Sequence, residues 1–229
     1  MRVEGVQEDR NGMASRGPGR VRTALVGLGL AILALLSLRS SPATDSEASS
    51  GEGRLRFEAA EFAPGDLIFR RGRSLVSRAV LAVDGGSEYS HVGLISIVDG
   101  KAWVLHAIPP EEPAQKGGVI AEPLSVFLAP EKATAAGLYR VRTAGAAAAA
   151  ERVAWGFVRA HIPFDSAFDL STPNELYCTE MVWRAYREGG IDLAPPVPGR
   201  QEKYLLPGRL LQSPYLRRIQ ELTEEAPKS

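Results

Sequence analysis

The amino-acid sequence predicts an α+β domain, and three observations carry that reading. Two apolar runs joined by Asp99-Gly100 mark an antiparallel hairpin at the centre of the chain. Two stretches of helical period follow, one rich in alanine and one that begins near the lone Cys178 and stops at Gly189-Gly190. Short apolar runs before and after the hairpin supply further strands, and there is no internal repeat.

The 229 residues suit one domain with appendages. Lysine and arginine together number 27, balanced by 27 aspartates and glutamates. No long basic block is present, so composition argues against a nucleic-acid partner. A single cysteine forbids an intramolecular disulfide.

Residues 1–22 read as a disordered tail and 23–38 (TALVGLGLAILALLSL) as an uncharged apolar run behind Arg16, Arg20 and Arg22. Sixteen helical residues span about 24 Å, short of a hydrocarbon core of about 30 Å. The proline at 42 spoils the nearest small-residue cleavage site, which favours a retained signal anchor over a cleaved signal peptide. The arginines keep the tail inside, and the domain is expected at the periplasmic or outer side of the inner membrane, or secreted if cleavage occurs. Residues 39–54 have linker composition, residues 55–222 form the domain, and 223–229 are a tail.

In order along the domain, Ala63-Pro-Gly-Asp66 turns into a strand at Leu67–Arg70. Ser74 caps a helix over Leu75–Val83 that Asp84-Gly85-Gly86 ends. In the hairpin, a two-residue Asp99-Gly100 turn pairs Val98 with Lys101. His91 and His106 then fall diagonally opposite on one face, about 7–8 Å apart at Cα, with Gly93 leaving room between them. Slipping the register by one residue would send His106 to the other face. The proline-rich stretch 109–118 reads as a loop. Strands are expected within Val119–Phe127 and Leu138–Val141, and a helix over Ala144–Ala160 packing through Val153, Phe157 and Val158. Pro173 and Asn174 favour the start of the next helix, with Cys178 in its first turn, and Leu205–Leu211 and Tyr215–Leu222 form short edge elements.

The chemistry centres on Cys178. Free N–H groups and the positive end of the helix dipole favour a thiolate in a first helical turn. An imidazole is the usual base for a thiol nucleophile, and a third polar group on its other nitrogen holds it in place. His91 and His106 supply those two groups. The oxyanion is expected to meet the Cys178 N–H and a side-chain donor, for which Tyr89, two residues before His91, is the candidate. Single cysteines are commonly inert core residues, and His161 is most simply a helix-end residue. Asp165 reads as a turn former, Glu180 as a first-turn complement to the dipole, and Trp103, Trp155 and Trp183 as core.

The order PGDLIF, YSHVGL, WVLHA and IPFDSAFDLSTPNELYCTEMVWRAY resembles the permuted papain-like amidases of the YiiX/YaeF type, in the NlpC-like superfamily. The likeness covers roughly residues 57–220 and is most specific at Ser90-His91-Val92-Gly93 and Tyr177-Cys178-Thr179-Glu180. It implies a circularly permuted papain-like (NlpC-type) fold, a small antiparallel sheet or barrel packed against helices. It also implies Cys178 as nucleophile, His91 as base and residue 106 as orienter, with no cofactor. Members of the YiiX type often carry a carboxylate where this chain has His106. A neutral imidazole there stabilises an imidazolium less, weakening the Cys–His ion pair or shifting the working pH upward.

The expected function is therefore an exported, membrane-tethered cysteine hydrolase that cleaves amide bonds through a thioester, plausibly in peptidoglycan peptides. Acyl transfer or lipid ester hydrolysis at the same cysteine is the alternative enzyme reading. Two further readings are a zinc site built from His91, His106, His161 and Cys178, and a binding module without activity, against which the intact Cys–His pair argues.

Overall fold

The computed structural model describes residues 55, 57, 62–110, 117–196 and 202–223. Asp99 and Gly100 both take positive φ, 50° and 72°, the conformation that matches a tight turn to the right-handed twist of its strands. They join β2 (His91–Val98) to β3 (Lys101–Ile108), with Val98 opposite Lys101 and Leu94 opposite Leu105. This is the register the Asp-Gly turn predicts.

The hairpin is the centre of a six-stranded antiparallel sheet. β1 (Leu67–Gly72) lies beside β2, and β4 (Gly118–Pro123) beside β3. β5 (Ala133–Val141) and β6 (Leu216–Thr223) extend the sheet from β1, giving the order β4-β3-β2-β1-β5-β6. Two sequence expectations change here. The run Val119–Phe127 is strand only to Pro123, after which α2 (Leu124–Phe127) begins, since proline cannot donate to a ladder. The segment from Tyr215 is a full edge strand, with Leu216 paired to Val141.

Strand parity sorts the core into two layers. Phe69, Val92, Leu94, Leu105 and Ala107 face α3 (Ala144–Arg159) and α4 (Cys178–Glu188). Ile68, Ile95, Val104, Ala136 and Leu138 face Phe127 of α2 and residues Leu55, Phe57 and Phe62. In α3 the buried residues are Ala146, Ala147, Ala150 and Ala154, whereas Val153, Phe157 and Val158 are only partly covered. Small side chains allow close approach, so alanines take the inner face that the larger residues were expected to hold. A Cβ on Gly189 would lie 3.0 Å from the Ala146 carbonyl, which shows how near α3 and α4 run.

α1 (Leu75–Asp84) is capped by Ser74, whose hydroxyl accepts the Ser77 N–H, and ends at Gly85 with φ 65°. None of its ten residues is buried. Its far end is tied to α5 (Pro207–Leu211) by the Gly208 N–H, which donates to Asp84 at 2.8 Å.

Gly93 is where the hairpin tolerates no side chain. A Cβ there would stand 2.3 Å from Val104 Cγ1 and 3.1 Å from His106 Cβ. Gly93→Ala is expected to cost about 1–3 kcal/mol through overpacking, read by chemical denaturation, with loss of whatever activity depends on His106.

Candidate active site

Cys178 stands in the first turn of its helix, as expected, but α4 begins at Cys178 itself and not at Pro173. Residues 169–177 are loop, because the backbone around Leu176 is already committed. The Leu176 N–H donates to Pro163 O, and the Asp165 N–H to Leu176 O. Asp165 accepts the N–H groups of Ala167 and Asp169, the turn role expected of it. Tyr177, in extended conformation, precedes the helix without a side-chain cap. Both neighbours of Cys178 are clamped by one residue. The Leu205 N–H donates to the Tyr177 hydroxyl, and Thr179 Oγ1 donates to Leu205 O, each at 2.6 Å.

The helix and the two histidines do not share a face of the sheet. Val92 and Leu105 point toward α4, so His91 and His106 point with Ile95 and Val104 to the other side. The sequence places the meeting of Cys178, His91 and His106 in a cleft between the Cys178 helix and the polar face of the hairpin; the strand parity instead sets them on opposite faces of the sheet. The Ile95 N–H turns toward β1, where it donates to Asp66 O, so by alternation that of Val92 turns toward β3. The paired register of β2 and β3 ends at Leu94 and Leu105. Beyond it, the Val92 N–H lies near enough to the Cys178 sulfur to favour its thiolate. His91 thus sits in sequence between Ser90, which lines the same cleft as Cys178, and Val92, whose N–H favours the thiolate.

On the histidine face, His91 Nε2 lies 2.8 Å from His106 Nδ1. His106 Nε2 lies 3.2 Å from Glu122 Oε1, and Lys132 Nζ lies 3.1 Å from Glu122 Oε2. The bond between the rings leaves His91 Nδ1 as its remaining nitrogen. Phe127 packs both rings, near-parallel to His91 at 5.7 Å and edge-on to His106 at 5.1 Å. Arg70, the cross-strand partner of His91, stacks its guanidinium 4.3 Å over Phe127 and donates to Phe127 O at 2.6 Å.

Glu122, Lys132, Phe127 and Arg70 were not singled out in the sequence. Glu122 answers the departure noted at His106, since the carboxylate is present one residue further along the chain of contacts. Its signal was parity: Glu122 faces Val104 across β3 and β4, on the histidine side. Tyr89 does not take the expected place. Its hydroxyl donates to Glu221 at 3.1 Å, and its ring lies over Gly137 of β5, across β1 from the hairpin. The backbone N–H groups that favour a Cys178 thiolate are those of Val92, Thr179 and Cys178 itself.

Burial dominates the protonation of the centre. It raises the Cys178 thiol above its ordinary value, against the pull of those three N–H groups and the charge of Arg70. The dipole argument for a resting thiolate therefore loses to desolvation. Burial, then the charges of Arg70, His106 and Lys132, holds His91 well below the usual imidazole value. Burial likewise lowers His106, although Glu122 opposes it. Burial alone would raise Glu122, but His106 and Lys132 outweigh it and bring the carboxyl down to about 2. The resting pair is a neutral thiol and a neutral imidazole.

Glu180 is fully buried, and burial lifts it to about 7 despite Arg184 at 2.6 Å. Arg184 also donates to Leu170, Thr172 and Pro173 carbonyls, so this pair anchors the loop before the cysteine. His161 is an exposed helix-end residue with φ 50°. Trp155 and Trp183 are partly buried and donate to Ser96 and Asp192.

The fold agrees with comparisons to known proteins. Residues 61–197 match the family described as permuted papain-like amidase enzyme, YaeF/YiiX, C92 family. The chain belongs to that family of permuted papain-like cysteine amidases. Among solved structures it is similar to one titled crystal structure of metalloprotein yiiX from Escherichia coli O157:H7. The TM-score is 0.57 at 22% identity, covering 70% of this chain and 97% of the other. No curated protein matches.

Two outcomes are expected from these electrostatics. Alkylation of Cys178 should keep accelerating at pH values where a free cysteine, with pKa about 8.5, has levelled off, and Arg70→Met should move that limb further up. For Glu180, the folded carboxyl at about 7 lies above the unfolded value of about 4.3, so stability present in acid is lost as pH rises through that window. Glu180→Gln should then raise the melting temperature more at pH 8 than at pH 4.

Proposed function

We propose that this amidase uses Cys178 as its nucleophile, His91 as its general base, and His106 with Glu122 to position and polarise that base. The observation that carries the reading is the line of contacts His91–His106–Glu122–Lys132 behind a cysteine at a helix start. It assigns one consistent set of tautomers. With Glu122 ionised, His106 bears its proton on Nε2 and accepts at Nδ1 from His91 Nε2–H. His91 Nδ1 is then the basic nitrogen, free to take the thiol proton.

In the reaction, Nδ1 accepts the proton of Cys178 as sulfur attacks the carbonyl carbon. The oxyanion is met by backbone N–H groups at the start of α4. The amine leaves with the proton from His91, water enters, and His91 takes its proton while the thioester opens to an acid and the free thiol. Because the resting pair is neutral, proton transfer accompanies attack. Closure of the site by substrate strengthens the role of the Arg70 charge as sulfur becomes anionic.

As substrates we infer amides of peptides, including those of the cell wall, reached by export and tethering. The support for export is the apolar run 23–38, which lies outside the described residues. Among the described residues no helix is long and apolar enough to cross a membrane. The zinc reading lacks a donor set. Among the described residues no three His, Cys, Asp or Glu side chains are grouped to hold a metal ion. His91 and His106 spend a nitrogen on each other.

Incubation with purified sacculi and with amide substrates should release free amines. Cys178→Ser should abolish release, and His91→Ala and Glu122→Gln should each lower kcat by about 10²-fold or more. Unchanged turnover in Glu122→Gln would remove the relay. Mass spectrometry should trap the acyl group on Cys178 alone. Cell fractionation should find the full chain with membranes and a chain lacking residues 1–38 in the soluble fraction.

A further inference from the structure

A second cavity, of roughly 990 Å³ counting its open mouth, lies at the other end of the helix that carries Cys178. The turn before β1, the first residues of α3 and three arginines, Arg140, Arg142 and Arg217, line it. Its walls are fixed by close packing. A Cβ on Gly65 would stand 2.6 Å from the Ala147 carbonyl oxygen, and the Tyr186 hydroxyl donates to Gly65 O. Gly189, just past the end of α4, packs by Ala146 at the start of α3. The eleven residues of α4, about 16 Å of helix, therefore separate this cavity from the sulfur.

Arg140 and Arg217 stand directly opposite each other on β5 and β6, and Arg142 follows two residues beyond Arg140. Like charges so placed repel. One of the three is answered within the chain. Asp66, buried, accepts Arg140 Nε and Nη2 at 2.7 Å each, and its Oδ2 also accepts the Ala63 N–H at 2.8 Å. Asp66 is the one carboxylate among the lining residues, and those bonds occupy both its oxygens. Arg142 and Arg217 are exposed, and among the described residues neither side chain has an ion pair or a hydrogen bond. Two positive charges thus border one cavity without an anion. α3 begins beside them with no acidic residue in its first turn, so the end of its dipole has the same sign.

We propose that this cavity binds a phosphate group between the guanidiniums of Arg142 and Arg217. A guanidinium presents a planar fork of donors that matches phosphate oxygens, and a phosphate has oxygens and charge enough for two forks. A carboxylate has two oxygens and satisfies one fork, as Asp66 does for Arg140. Two sources carry the same group: free phosphate, and the phosphodiester of a lipid headgroup. The second suits the tether proposed above, because Ala63 and Pro64, where the chain enters the sheet after its linker, line the cavity. No part of this ligand reaches Cys178, so the site stands or falls independently of the nucleophile.

The test is isothermal titration calorimetry on the full chain in detergent at low ionic strength. The probes are inorganic phosphate, acetate, and glycerophosphoglycerol, a diester headgroup without its acyl chains. Phosphate should bind saturably with a dissociation constant of about 1 mM or lower, and acetate at least about tenfold more weakly. Arg142→Gln and Arg217→Gln, both at exposed positions that leave the core untouched, should each weaken phosphate by about tenfold. Arg218→Gln, which removes a neighbouring arginine outside the cavity, and Cys178→Ser should leave it unchanged. Glycerophosphoglycerol binding as tightly as phosphate assigns the lipid headgroup as the source, and much weaker binding assigns free phosphate. No saturable binding of either phosphate probe up to about 10 mM would overturn the proposal. So would acetate binding as tightly as phosphate, or phosphate binding indifferent to both arginine substitutions.

Discussion

The site depends on one hydrogen bond between two imidazoles, His91 to His106 at 2.8 Å. That bond exists because the Asp99-Gly100 turn sets the hairpin register, with Gly93 leaving room for Val104 and the Cβ of His106. Everything on that face follows from it. The inter-ring bond occupies one nitrogen of each histidine, turns the second nitrogen of His106 toward Glu122, and leaves one nitrogen of His91 for chemistry. Phe127, fully buried, is the common surface against which both rings and the Arg70 guanidinium are packed.

The same packing decides the charges. Taking a thiol and two imidazoles out of water favours their neutral forms, and here that cost exceeds the help of a helix start and three N–H donors. Glu122 resists because it is held from both sides, by His106 and by Lys132, and so remains the one settled anion of the group. Arg70, lowered by burial to about 10, remains cationic at neutral pH and is the fixed positive charge closest in kind to what a thiolate requires. A centre of this sort is quiet until the developing charge of the reaction calls on it.

The cysteine side is organised by different forces. Leu205 holds Tyr177 and Thr179 through its backbone, and Arg184 with buried Glu180 draws in the loop at 170–173. These polar bonds are turned inward, which is why the surface facing α1 is left apolar. The fixed place of Cys178 and the apolar lining of its cleft thus have one cause.

Much of this was legible in the sequence. Period-two alternation and an Asp-Gly turn determined the hairpin, its register and the shared face of His91 and His106, since local geometry alone dictates those. The Ser74 cap and Gly85 stop were legible for the same reason. Contacts between distant segments were not. Glu122 meets His106 only because β4 pairs with β3, Tyr89 is drawn to Glu221 only because β6 closes the sheet's far edge, and the inner face of α3 is alanine only because α4 runs so close. The sequence by itself determined that His91 and His106 share one face of the hairpin and that Cys178 stands in the first turn of its helix. Tertiary structure decided how they are charged and on which faces of the sheet they lie, because burial and strand pairing are properties of the assembled sheet and not of any one segment.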